Sequence, residues 1–199
     1  KDEAIEKFVY ISSTSVYGDR KGERVDEHTE VRPDSPRGEA RVRAERALIE
    51  SPLPACIVRP SGIYGPGRSL LQRLAKGNYR LVDGGHALTN RIHVVDLCRI
   101  IARALKRGEP GQVYLASDAQ PTSQANVAKT LCKTYSLPDP PILPLEEARI
   151  RLIPSTLKML VGSKHIDSSW TLDKLGLRLR FPSYLDGYQV LWRQEEAAA

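Results

Sequence analysis

Segments that read as buried strands alternate with segments that read as helices along this chain of 199 residues, and that alternation confines it to an α/β layer architecture. FVYISS from Phe8 and PACIVRP from Pro54 are short, continuous apolar runs bounded by polar or turn residues, the pattern of strands buried on both faces. Between them, Ser35 and Pro36 supply an N-cap and a first-turn proline for a helix running to about Glu50. Downstream come short strand candidates at Tyr79 to Val82 and Asn90 to His93, a helix from Val95 to about Lys106, and the strand GQVYLAS. Thr122 or Ser123 then caps a helix to about Tyr135, in which Ala125, Val127, Ala128, Leu131 and Cys132 recur at helical spacing. The proline-rich LPDPPILP introduces an irregular, mainly helical stretch. The expected organisation is therefore an α/β unit over residues 1–135 and a small helical C-terminal subdomain over residues 136–199.

A hydrophobic content of 41% supports a real core, and no run approaches the ~20 apolar residues of a membrane helix. The opening KDEAIEKFVY is charged where a signal peptide would be apolar. Cys56, Cys98 and Cys132 are odd in number, far apart and set in apolar segments, which suggests neither a disulfide framework nor a metal site. A cytoplasmic protein with no membrane contact is expected. The net charge is +6, but acidic residues interrupt the basic clusters and aromatics are only 6%, so a groove for single-stranded nucleic acid is disfavoured.

An α/β chain that opens on a strand ending in hydroxyls invites a search for the glycine-rich phosphate loop of a dinucleotide fold. The nearest match, GIYGPG from Gly62 to Gly67, has the wrong glycine spacing and a proline at Pro66, and reads as a structural turn. The chain also starts without Met and with a strand a few residues in, which suggests a fragment or processed product.

FVYISSTSVYGD (Phe8 to Asp19), SPRGEARVRAERAL (Ser35 to Leu48), IVRPSGIYGPGR (Ile57 to Arg68) and RIHVVDLCRIIARAL (Arg91 to Leu105) occur in a telling order and spacing. In these segments the chain resembles the extended short-chain dehydrogenases/reductases, the NAD-dependent epimerase/dehydratase family. The resemblance continues through GQVYLASDAQPTS and LGLRLRFPSYLDGY. It implies a Rossmann-like parallel sheet of which only the C-terminal two-thirds is present, the glycine-rich units lying on the order of a hundred residues before Lys1. NAD or NADP is the implied cofactor, provided that upstream part exists.

The family's chemistry uses a strand-end Ser or Thr and a Tyr and Lys four residues apart on the following helix. A nearby ammonium and the cofactor's positive ring lower the phenol's pKa until it exchanges a proton with a substrate hydroxyl. The resemblance places Ser13 at the hydroxyl position, Arg37 at the Tyr position and Arg41 at the Lys position. Guanidinium stays protonated and has no acceptor, so Arg37 cannot take over the acid/base step. Gly62 stands where a substrate-contacting Asn is expected, and Thr89 where a diphosphate-binding Arg is expected. The pattern is similar to the atypical extended members, which lack the YxxxK pair.

On a helical wheel Arg37 and Arg41 share a side with Ala40, Ala44 and Leu48, whereas Glu39, Arg43, Arg46 and Glu50 form the opposite, solvent face. Two readings of the pair stay open. One is an anion site at the strand carboxyl ends, meeting a cofactor or acidic ligand; the other is an internal salt bridge to Asp19, Asp26 or Asp34. A strand-end serine such as Ser13 usually caps a turn, and it is the resemblance that raises it to a ligand contact.

By resemblance, Ser12, Ser13, Arg41, Pro60 and Ser61 are the cofactor contacts, with Ser13, Arg37 and Arg41 as the catalytic set. Tyr17 and Tyr64 would pack the crevice, and Asp96 would cap the helix after His93. His28, His86 and His165 lack metal-ligand spacing. The expected function is an NAD(P)-binding oxidoreductase or epimerase acting on a hydroxylated small molecule. A non-catalytic dinucleotide-sensing or partner-binding module and, more remotely, an RNA-associated protein are the alternatives. The resemblance also implies pairing of two copies through the helix beginning near Pro36.

Overall fold

A computed structural model of the protein describes residues 5–197. Three parallel strands form its central sheet, in the order Phe8–Ile11, Ala55–Pro60, Val113–Ala116. Tyr10 lies opposite Ile57, and Pro60 opposite Ala116. All six residues of the middle strand are buried, as expected for a strand covered on both faces. Its side chains alternate. Cys56 and Val58 face a cluster with Ile100, Ala104, Tyr114 and Leu175, while Arg59 is directed to the opposite face, where Val16, Tyr17, Val25 and Leu115 pack. The α/β reading thus holds.

Helix α1 (Pro36–Ile49) starts as its sequence dictates: Pro36 occupies the first turn and the Ser35 hydroxyl accepts the Gly38 N–H at 3.2 Å. The expected solvent face is exposed, but the inner face differs from the wheel. Gly38 and Glu45 are the buried residues, Arg41 is half-buried and Arg37 is exposed. The helix is rotated because Glu45 is drawn inward by an ion pair with Arg59, and because Gly38 allows close approach; a Cβ there would lie 2.9 Å from the Ser15 carbonyl oxygen. Helices α2 (Leu70–Ala75), α3 (Val94–Arg107) and α4 (Gln124–Tyr135) follow, the last capped by Ser123.

Asp96 does not cap α3. The strand Arg91–His93 runs straight into the helix, so the His93 ring is placed to accept the Val95 N–H through Nδ1 at 3.2 Å. Asp96, one turn in, accepts instead from the N–H groups of Arg180 and Phe181 at 2.9 and 2.8 Å and pairs with Arg99 at 2.7 Å. GIYGPG forms a short strand, Gly62–Tyr64, parallel to Arg91–His93, and a turn closed by Gly65–Arg68 backbone bonds.

Residues 136–199 hold α5 (Leu145–Arg151), α6 (Pro154–Val161), α7 (Ser169–Leu175) and α8 (Tyr184–Ala197). They share cores with the preceding chain. Tyr184, Tyr188 and Leu191 pack with Tyr64, Leu71, Tyr79 and Leu131, and Ile166 joins the cluster around Tyr17. Gly187 lies inside α8, where glycine is a poor helix former, because a Cβ would fall 2.1 Å from the Tyr64 hydroxyl. Gly187→Ala should destabilise the protein by about 2 kcal/mol, the clash outweighing the gain in helix propensity. Urea unfolding checks this, and a stabilised variant would contradict the packing described.

Candidate functional site

Parallel strands deliver their carboxyl ends to one edge of a sheet, and ligands of open α/β sheets bind outside that edge. Here Ser12 and Ser13 leave the strand Phe8–Ile11, and Ser61 leaves Ala55–Pro60. The Ser12 N–H donates to Val58 O at 2.8 Å and the Ser61 N–H to Ala116 O at 2.9 Å, continuing the ladders by one residue. Both hydroxyls are buried, and among the described residues neither has a hydrogen-bond partner. An unpaired buried hydroxyl is unfavourable, so each is free to bond water or a bound group.

These hydroxyls open on a cavity of about 450 Å³ lined also by Ser13, Arg37, Arg41 and Pro60. All six site residues expected from sequence therefore meet around one space. Ser13 acts as a cap too, its hydroxyl accepting the Ser15 N–H at 3.1 Å. Arg41 reaches the tip of the outer strand, Nη1 lying 3.3 Å from Ile11 O.

Among the described residues, neither Arg37 nor Arg41 pairs with a carboxylate. The three acids considered as partners are engaged elsewhere. Asp19 Oδ1 accepts from the N–H groups of Lys21 and Ser163, Asp34 Oδ2 from the Asp19 N–H, and Asp26 Oδ1 from the Thr29 hydroxyl and His28 N–H. Burial would push the Asp19 carboxyl up, but these backbone donors and nearby lysines hold it below its usual value. The internal salt-bridge reading of the arginines is thereby excluded for the described residues.

A second cavity of about 530 Å³ adjoins the first along Thr14, Gly62, Ile63, Arg68, Met159 and Lys164. Its further lining includes Tyr64, Tyr79, Thr89, Arg91, Gln124 and Tyr188. The joined crevice thus has a strand-end lobe and a lobe walled by the C-terminal helices. Tyr64 lines the second lobe as expected, and burial drives its phenol far above the ordinary range. Tyr17 does not line either lobe. It is fully buried behind the sheet, accepting from Arg59 Nη1 at 2.7 Å and donating to Asp26 O at 3.0 Å.

Three features were not anticipated from sequence. Glu45 and Arg59 form a buried bidentate pair at 3.0 and 2.6 Å. Asp118 is buried next to Arg91, with Oδ2 unpartnered. Lys164 borders both lobes. The only sequence signal for the first was a charged residue at each of two otherwise buried element positions. The other two lie in loops, and although Asp118 falls within GQVYLASDAQPTS, no role was read for it there.

Residues 1–116 match the NAD dependent epimerase/dehydratase family, and the chain belongs to that family. A functionally unknown conserved protein from Silicibacter pomeroyi is 34% identical and superposes with a TM-score of 0.87, covering 95% of this chain and 67% of that one. A human epimerase family protein solved with NADPH, 19% identical with a TM-score of 0.78, shares the fold over 92% of this chain and 63% of its own. Among curated proteins, a Stigmatella aurantiaca 4-hydroxy-2-methyl-3-oxo-4-farnesyl-3,4-dihydroquinoline-1-oxide ketoreductase is 28% identical over 148 residues, 69% of this chain. The chain spans 44% of that relative's length. No helix among the described residues is long and apolar enough to cross a membrane.

Proposed function

We propose that this chain forms the nicotinamide and substrate side of an NAD(P)-binding oxidoreductase or epimerase of the atypical extended type, acting on a hydroxylated small molecule. The observation that carries the reading is the pair of buried, partnerless hydroxyls on Ser12 and Ser61 at the ends of adjacent parallel strands. They fit a polar ligand end inserted between the strand tips, such as a carboxamide, which both donates and accepts. Arg37 and Arg41, uncommitted to any carboxylate of the described residues, suit the ribose and phosphate that follow. Pro60 gives that wall a rigid backbone. When bound, a nicotinamide dinucleotide would supply hydride transfer; the chain's own residues position the ligand and exclude water. Family membership and the NADPH seen in the human relative support the choice of cofactor.

Fluorescence titration of the complete protein with NADPH tests this. Arg37→Glu combined with Arg41→Glu should weaken binding at least about tenfold, the loss of one or two charge-assisted contacts. Because Arg37 is exposed and Arg41 half-buried, the melting temperature should change little. Unaltered affinity would remove the arginines from the cofactor site.

The identity of those two residues favours a second reading, a dinucleotide-sensing module without turnover. NADPH binding would then occur, but oxidation of a broad panel of alcohols and sugars would not.

A further inference from the structure

We propose that Lys164 is the group that exchanges a proton with a ligand hydroxyl in this crevice, the task for which neither Arg37 nor Arg41 is fitted. The proposal rests on the oxidoreductase reading above and names the residue that completes it. Lys164 stands at the seam of the two lobes, where a substrate in one would meet a cofactor in the other.

Its backbone is fixed from several directions. Lys164 O accepts from Asn90 Nδ2 at 2.8 Å, and Asn90 Oδ1 accepts the Ile166 N–H at 2.8 Å, so one side-chain amide grips both ends of the turn. His165 N–H donates to Glu23 O at 2.9 Å, and Ser163 O accepts from the N–H groups of Arg20 and Gly22 at 2.9 and 3.1 Å. The ammonium itself makes no hydrogen bond and no ion pair among the described residues. A fixed backbone carrying an uncommitted ammonium suits proton transfer.

The other titratable groups lining the crevice are poorly placed. Burial drives the phenols of Tyr64, Tyr79 and Tyr188 upward, away from neutrality. Asp19 and Asp34 accept backbone N–H groups, and the Lys158 ammonium donates to Asp34 O. Lys164 moves the opposite way from the phenols: desolvation lowers its pKa, Asp34 and Asp19 oppose the shift, and Arg20 adds to it. Arg37, Arg41, Arg68 and Lys158 also border the strand-end lobe. In alcohol oxidation the substrate C–H and O–H bonds break and C=O forms. With an oxidised nicotinamide dinucleotide bound, the hydride would go to that cofactor and the proton to the Lys164 lone pair, so atoms and charge would balance.

Competitive labelling of the complete protein with isotopic acetic anhydride across neutral and alkaline pH, with and without NADPH, reads out Lys164 by mass spectrometry. Lys164 should half-titrate at a lower pH than the exposed lysines, and saturating NADPH should slow its labelling about tenfold. Titration together with the exposed lysines, or undiminished labelling while NADPH is bound, overturns the proposal. Fluorescence in the same samples reports NADPH binding directly. Its absence would bring down the cofactor reading and this role with it, an outcome distinct from a failure of Lys164 alone.

Discussion

Glu45→Ala should destabilise the protein by about 3–5 kcal/mol, the cost of leaving a buried guanidinium without its counter-ion. The side chains of Arg59 and Glu45 are 7% and 4% exposed, so water cannot replace the lost carboxylate. Arg59 would retain only the Tyr17 hydroxyl, at 2.7 Å, and the face of that ring, 5.0 Å from the guanidinium carbon. Replacing both partners, as in Glu45→Leu with Arg59→Met, should cost much less than the single change, because an apolar pair of similar volume needs no compensation. Urea unfolding of the two variants supplies the comparison. A single variant within about 1 kcal/mol of the parent would contradict the buried pair. The consequence extends to the crevice, since Arg59 directly precedes Pro60 and Ser61 and fixes the strand end that presents them.

Asp118→Asn should stabilise the protein at pH 8 by about 4 kcal/mol, and leave it nearly unchanged below pH 4. Burial raises the Asp118 pKa to about 7, against the opposing charge of Arg91 and the backbone N–H of Gln120. Between the ordinary carboxylate pKa and this raised value, the folded protein holds a proton that the unfolded chain has released. Stability therefore falls as pH rises through that window and remains reduced above it. Asparagine cannot ionise and escapes the loss. Thermal melts from pH 4 to pH 8 should show the two proteins diverging with rising pH, by several degrees at the upper end. Parallel curves would contradict the buried, unpaired carboxylate.

The fold was legible wherever local signals and burial agreed. The positions of Phe8–Ile11 and Ala55–Pro60 follow from their apolar runs, and that of α1 from its serine cap and proline; but Phe8–Ile11 is not buried on both faces as expected, since it is the outer strand of the three and leaves Phe8 and Ile11 exposed. Ser12, Ser13, Pro60 and Ser61 converge because both strand ends emerge on the same edge, and α1 brings Arg37 and Arg41 to the same cavity. The inward rotation of α1 was not legible. An apolar stripe through Ala40, Ala44 and Leu48 suggested one buried face, but the ion pair between Glu45 and Arg59 sets another. Lys164 escaped notice for a different reason. It reaches the crevice only because His165–Ile166 pairs with Arg24–Val25, a contact between segments far apart in sequence.

A crystal structure of the complete protein with NADP⁺ tests the central claim most directly. The nicotinamide end should lie between the strand tips, with its carboxamide within hydrogen-bond reach of the Ser12 and Ser61 hydroxyls and its ribose and phosphate beside Arg37 and Arg41. Dinucleotide density elsewhere on the protein, with both hydroxyls left to water, would contradict the account.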